Sequence, residues 1–161
     1  MVPVDFSDSS AAALHYASQR AAEYGGSLIV VHVVPADYGW LGIGRNELAN
    51  LDRSLQERAV DQLRGFANKH VAHDVDADLE VRIGHPAEEI VAGANQSKCN
   101  VIVMATHGLT GLDRYLIGSV ADRVARLAPC PVFLIPPGRG PIAGTRPSQV
   151  LRFKHKSKRR R

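Results

Sequence analysis

The chain has 161 residues, enough for one domain with a core of its own. Hydrophobic residues at 45% and charged residues at 22% exclude a collagen, a mostly disordered chain and a disulfide-built mini-protein. The formal charge of +4 is unevenly placed: nine of the 20 Lys and Arg lie from Gly138 onward, where there is no Asp or Glu, which leaves eleven bases against 16 acids, a net −5, on residues 1–137.

Strand and helix patterns alternate along those residues. Met1 to Val4 is a short apolar strand that stops at Asp5. Ser7-Asp8-Ser9-Ser10 supplies helix caps, and an Ala-rich helix follows to Tyr24, with Leu14, Ala17 and Ala21 on one face and Gly25-Gly26 after it. Leu28 to Val34 is a nearly unbroken β-branched run, the pattern of a strand buried on both faces. Pro35 to Asn46 reads as a glycine-bearing loop. Leu48, Leu51, Leu55, Ala59, Leu63 and Phe66 recur at helical steps. Leu79 to Ile83 is a strand, and Pro86 opens a helix with Ile90, Val91 and Ala94 inside. Val101 to Met104 is a buried strand and Thr106 to Gly118 a loop, with a short helical stretch near its end. Ser119 to Leu127 is a helix with Val120, Val124 and Leu127 inside, and Val132 to Ile135 is the last strand.

This alternation predicts a parallel sheet with helices on both faces, whose ligands sit at the C-terminal ends of strands. The apolar runs fall short of the ~20 residues that a membrane-spanning helix needs. The opening residues carry no secretory-signal pattern. Cys99 and Cys130 lack metal-ligand spacing and suit a reducing compartment better than a disulfide framework. The expectation is a cytoplasmic protein, with a domain at 1–137 and a basic tail at 138–161. Arg139 to Gln149 is linker-like, and the run from Arg152 to Arg161 repels itself. Three readings of the tail stay open: a silent extension, a strand of charge folded back on the acidic domain, or a non-specific contact with polyanions. A long apolar face is lacking, so no membrane insertion is expected, and one aromatic, Phe153, is too little for specific nucleic-acid binding.

The strongest constellation for chemistry runs from Ala105 to Ser119. Gly108, Gly111 and Gly118 occupy one strand-to-helix connection, where backbone N–H groups and a helix N-terminus together suit a phosphate. The bland reading makes Ser119 a helix cap with Asp122 closing a capping box, and spacing alone supports the two about equally. Asp5, at the end of the first strand, suits a ribose or an adenine amine as well as a plain cap. Other patterns carry less. Gly39, Gly42 and Gly44 stand in the wrong order for a dinucleotide fingerprint, and no P-loop, zinc-protease or nucleophile-elbow motif occurs. His70 and His73 read as a solvated pair, His32 as a hydrogen-bonded core residue, and His107 as a binding residue within the cradle.

Four separated segments resemble the universal stress protein family: PVDFSDS from Pro3, LIVVHVV from Leu28, GHPAEEI from Gly84, and VIVMATHGLTGLDRYLIGSVADRVARLAPCPVFLI from Val101. The nucleotide-binding branch of that family carries G-x2-G-x9-G-[ST]. Gly108, Gly118 and Ser119 match it, and Ala105 replaces the first glycine. The opening strand is also shorter than the family's usual one. The resemblance implies a three-layer α/β/α fold, Rossmann-like and akin to the adenine nucleotide alpha hydrolases, with a five-stranded parallel sheet of order 3-2-1-4-5. It further implies a homodimer through Val132–Ile135. It places Asp5 at a ribose and Val33 at an adenine, Ala105, Thr106, His107 and Gly108 near ribose and phosphates, and Gly118, Ser119 and Val120 at phosphates. Pro3, Val4 and Met104 complete the candidate binding set. The expectation is a nucleotide-dependent stress-response or regulatory protein rather than an enzyme, with ATP as cofactor, alone or with Mg2+, no catalytic residues and no resident metal. The alternatives are a dimeric scaffold without nucleotide, favoured by Ala105, and a nucleotide-using enzyme on a related fold.

Overall fold

The computed structural model describes residues 1–35, 45–107 and 117–136. Within them the order is β1 (Val2–Pro3), α1 (Asp8–Tyr24), β2 (Leu28–Pro35), α2 (Arg45–His70), β3 (Ala77–Gly84), α3 (Pro86–Gln96), β4 (Ile102–Ala105), α4 (Ser119–Leu127) and β5 (Val132–Ile135). The glycine loop at 36–44, Gly108, Gly111, the helical stretch expected before Gly118, and the tail from 138 onward lie outside the described residues, as does the boundary expected at Pro137.

Local chemistry accounts for where the elements stop. The Ser7 hydroxyl accepts the Ser10 N–H at 3.2 Å and so caps α1, which ends at Gly25 in the left-handed region, φ 63°. Pro86 stands at the start of α3, where its missing N–H costs nothing, and Glu88 and Glu89 sit in the same first turn. Helix α3 ends on a Schellman pair: Cys99 N–H donates to Ala94 O at 3.1 Å, and Lys98 N–H to Asn95 O at 3.3 Å. The left-handed residue of that turn is Lys98, φ 51°, where glycine is the unstrained choice.

All strand pairings are parallel. The expected order 3-2-1-4-5 is not present as one ladder: β1-β2-β3 form a three-stranded sheet and β4-β5 a two-stranded one. The two meet at Met1, whose N donates to Val101 O at 2.8 Å and whose O accepts from Val103 N at 2.9 Å. With two residues, β1 is too short to carry a ladder on both sides, so two bonds make up the join.

Side chains alternate across this surface and feed two cores. Leu28 and Val30 of β2 join Val2, Val4 and Val103 under Leu14 and Ala17 of α1 and Leu63 of α2. Val31 and Val33 join Ile102 and Met104 under Ile90 of α3 and Val124 of α4. Helices α1 and α2 thus cover one face, α3 and α4 the other. One expected core residue falls outside: Leu127 is 53% exposed. The buried stripe of α4 is Ala121 and Val124, continued by Ala128 after the helix, and Leu127 lies one position off it.

Lys98→Gly removes the side chain that disfavours the left-handed turn after α3. The variant should gain about 1 kcal/mol, read as a higher urea midpoint at constant slope. An unchanged or lower midpoint contradicts the assignment of strain at Lys98.

Candidate functional site

The C-terminal ends of β1, β2 and β4 open on one side of the fold, where the two sheets meet, and α4 starts beside them. A cavity of about 450 Å³ lies there, within the range of small-molecule sites. Every member of the candidate set within the described residues lies on its wall: Pro3, Val4, Asp5, Val33, Met104, Ala105, Thr106, His107, Gly118, Ser119 and Val120. Gly108 lies outside the described residues. The wall also includes residues that the sequence reading did not nominate, among them Ser10, His32 and Pro35.

Asp5 is held by the turn after β1. Its Oδ1 accepts from Ser7 N–H at 3.1 Å and from the Ser7 hydroxyl at 2.6 Å. Its backbone N–H points to the Ser10 hydroxyl, 3.4 Å away, and that hydroxyl donates to Ser7 O at 2.9 Å. Phe6 lies in the left-handed region, φ 65°, unusual for a bulky side chain. Its ring explains how the turn persists. It packs on the His32 ring at 4.3 Å between centroids and edge-on to Phe66 at 5.5 Å. The His32 Nδ1–H donates to Val4 O at 2.8 Å, so the imidazole links this aromatic group to the end of β1. The expectation of a hydrogen-bonded His32 holds, and the residue is only half-buried because it also faces the cavity. His70 likewise is no simple solvated group: its ring packs on Phe66 at 4.7 Å, and burial lowers its pKa below the ordinary histidine value.

The other wall is built on Thr106. Its N–H donates to Ile135 O at 3.0 Å, its O accepts from Gly118 N–H at 2.8 Å, and its hydroxyl lies 2.9 Å from His107 Nδ1. The end of β4 is thus tied to β5 and to the start of α4. Ala105, in place of the motif's first glycine, is the last residue of β4 and pairs with Ile135. Extended backbone accommodates a Cβ, and the positive-φ non-glycine residues among those described are Phe6 and Lys98. Gly118 answers a different demand. A Cβ there would stand 3.1 Å from Thr106 O, so the glycine permits the close approach of the two backbones.

Helix α4 corrects the capping expectation. The N-cap is Gly118, not Ser119, and no side chain caps the helix. The first intrahelical bond runs from Asp122 N–H to Gly118 O at 2.9 Å. Helical geometry therefore leaves the N–H groups of Ser119, Val120 and Ala121 without intrahelical acceptors, and all three residues line the cavity. The Asp122 carboxylate does not turn back to close a capping box; it pairs with Arg126 at 3.0 Å. The site can thus offer first-turn N–H groups and a positive helix end to an anion, and Asp5 with backbone groups of β1 and β2 to a polar heterocycle or sugar. Among the described residues, no group of three or more His, Cys, Asp or Glu could hold a metal ion. No helix among them is long and apolar enough to cross a membrane.

The sequence model of the Universal stress protein family matches residues 1–136. Universal stress protein MJ0531 of Methanocaldococcus jannaschii is 34% identical over 143 residues, covering 84% of this chain and 79% of its own. A universal stress protein of Thermus aquaticus is 32% identical over 135 residues, covering 84% and 96%. Among solved structures, MJ0577 superposes with a TM-score of 0.75 at 24% identity, covering 86% of this chain and 95% of its own. A universal stress protein in complex with cAMP superposes with a TM-score of 0.55 at 25% identity, covering 83% and 92%.

Gly118→Ala places a methyl group against the Thr106 carbonyl, a backbone atom that β5 holds in place. The substitution should cost about 1–3 kcal/mol, read as a lower urea midpoint. A variant as stable as its parent contradicts the close-approach role of Gly118.

Proposed function

The chain belongs to the universal stress protein family, and we propose that it binds an adenine nucleotide, ATP with or without Mg2+, as a regulatory protein whose signal is occupancy rather than turnover. One observation carries the reading. Residues far apart in sequence, nominated as a nucleotide site, fall on a single cavity wall beside an uncapped helix N-terminus. In the proposal, Asp5 accepts from the ribose and backbone groups at Val33 meet the adenine. Thr106, His107 and the first turn of α4, from Gly118 to Val120, meet the phosphates. Such contacts suit an anion because unpaired N–H groups and the helix dipole act together. The structurally similar family member bound to cAMP supports the ligand class. Ala105 is compatible with it, since extended strand backbone accepts a Cβ. The setting we propose is the cytoplasm.

The experiment is direct. The purified full-length chain is denatured, and the released small molecules are separated and quantified. Adenine nucleotide near one per chain is expected, with saturable rebinding of ATP to the refolded protein. The absence of both release and rebinding would overturn the proposal. Asp5→Ala should weaken nucleotide binding by about 1–3 kcal/mol, the scale of a hydrogen bond to a charged group, while circular dichroism stays native. Equal affinity of variant and parent for ATP and AMP would leave Asp5 as part of the turn alone.

A homodimer is proposed on a separate observation. β5 pairs with β4 on one side, and Phe133 at its middle is 53% exposed. An apolar edge strand tends to associate unless it is covered. Pairing of Val132–Ile135 with a second copy would cover it. Phe133→Lys should shift sedimentation from dimer to monomer at micromolar concentration. A monomeric parent contradicts the pairing. The tail beyond Pro137 has no part in this reading, and any contact it makes with polyanions is proposed to be non-specific and salt-sensitive.

A further inference from the structure

Cys99 and Cys130 are 31 positions apart in the chain, yet their sulfur atoms lie 3.6 Å from each other. The approach follows from the fold. Cys99 is fixed by its own N–H, which donates to Ala94 O in the turn that ends α3. Cys130 lies in the connection between α4 and β5. The β4–β5 register sets Ile102 opposite Val132, and Ile102 N–H donates to Pro131 O at 3.0 Å just before it. Carrying that register back two residues sets Cys130 opposite Asn100, next to Cys99. The two thiols therefore face each other at the N-terminal ends of β4 and β5, the end of the sheet away from the nucleotide cavity. Both are free and half-buried.

We propose that Cys99 and Cys130 form an oxidative modification site, which a hydroperoxide closes to an intrachain disulfide. The sulfurs must approach by roughly 1.5 Å to reach bonding distance, a movement within the scope of side-chain rotation. In the first step one thiol sulfur attacks a peroxide oxygen. The O–O bond breaks, water leaves, and the sulfur becomes a sulfenic acid. In the second step the other sulfur attacks that sulfenyl sulfur. An S–S bond forms, the S–O bond breaks, and the departing hydroxyl takes the second thiol's proton to leave as water. Two thiols lose two electrons and two protons in all, and one hydrogen peroxide becomes two waters. Burial, and second the contact with Cys99, hold the Cys130 thiol above its usual pKa, while the charge of the Met1 amino group acts the other way. The resulting loop spans the segment that carries Thr106, His107, Gly118 and Ser119. The proposal itself does not depend on nucleotide binding.

The test uses the full-length chain, reduced, freed of reductant and held in excess hydrogen peroxide. Thiols are then alkylated under denaturing conditions and the intact mass is measured. The account predicts loss of both alkylatable thiols, a mass about 2 Da below that of the reduced, unalkylated chain, and full reversal by dithiothreitol. Cys99→Ser and Cys130→Ser should each lose this response and take up oxygen at the remaining sulfur instead. Two thiols still alkylatable in the parent chain would overturn the proposal. So would separate gains of about 16 Da per oxygen at each cysteine, or a disulfide-linked dimer.

Discussion

The hydrogen bond from Gly118 N–H to Thr106 O decides where α4 begins, and the rest of the site depends on that choice. Thr106 is already held by β5 through its own N–H, so its carbonyl is a fixed point at the end of the sheet. Bringing Gly118 to that point requires a residue without a Cβ, since the carbonyl would stand 3.1 Å away from one. Helix α4 has no side-chain cap, and its first turn opens into the cavity. A side-chain cap would have satisfied one of those N–H groups internally. The absence of such a cap leaves the polarity of the helix end to be met from the cavity.

The opposite wall rests on a constraint of a different kind. β1 has two residues, and it lies where the two ladders meet. A strand so short cannot orient the next turn of the chain by pairing alone. Side chains hold that turn instead: the Ser7 and Ser10 hydroxyls around Asp5, and the Phe6 ring between His32 and Phe66. Phe6 stays in an unfavourable backbone region because the aromatic contacts and the Asp5–Ser7 bonds fix both of its neighbours. The strain is local, at the point where the chain turns from sheet to helix beside the cavity.

The locality of each cause decides how much of this is legible in the sequence. Helix α1, strand β2, the end of α4 and strand β5 are legible because caps, β-branched runs and prolines act within a few residues. The candidate residues at strand ends are legible because ligands of alternating α/β folds sit at that end of the sheet and because the family resemblance names them. Leu127 departs from expectation because helical spacing defines a stripe only to within one position, and packing on the sheet selects Ala121 and Val124. The capping box at Ser119 fails because the approach of Gly118 to Thr106, a tertiary contact, sets the first residue of the helix. His32 and Ser10 escape notice as cavity residues because their place on the wall follows from how the chain turns after β1. The meeting of Cys99 with Cys130 is hidden for a similar reason: it arises from the β4–β5 register.

The central claim is that the ends of β1, β2 and β4 and the first turn of α4 form one adenine-nucleotide site. The most direct measurement is a titration of the isotope-labelled full-length chain with ATP, monitored by amide chemical shifts. The account predicts saturable shifts at Asp5, Val33, Thr106, Gly118 and Ser119, with one affinity for all five. Amides at these positions that stay unmoved in excess ATP would contradict it.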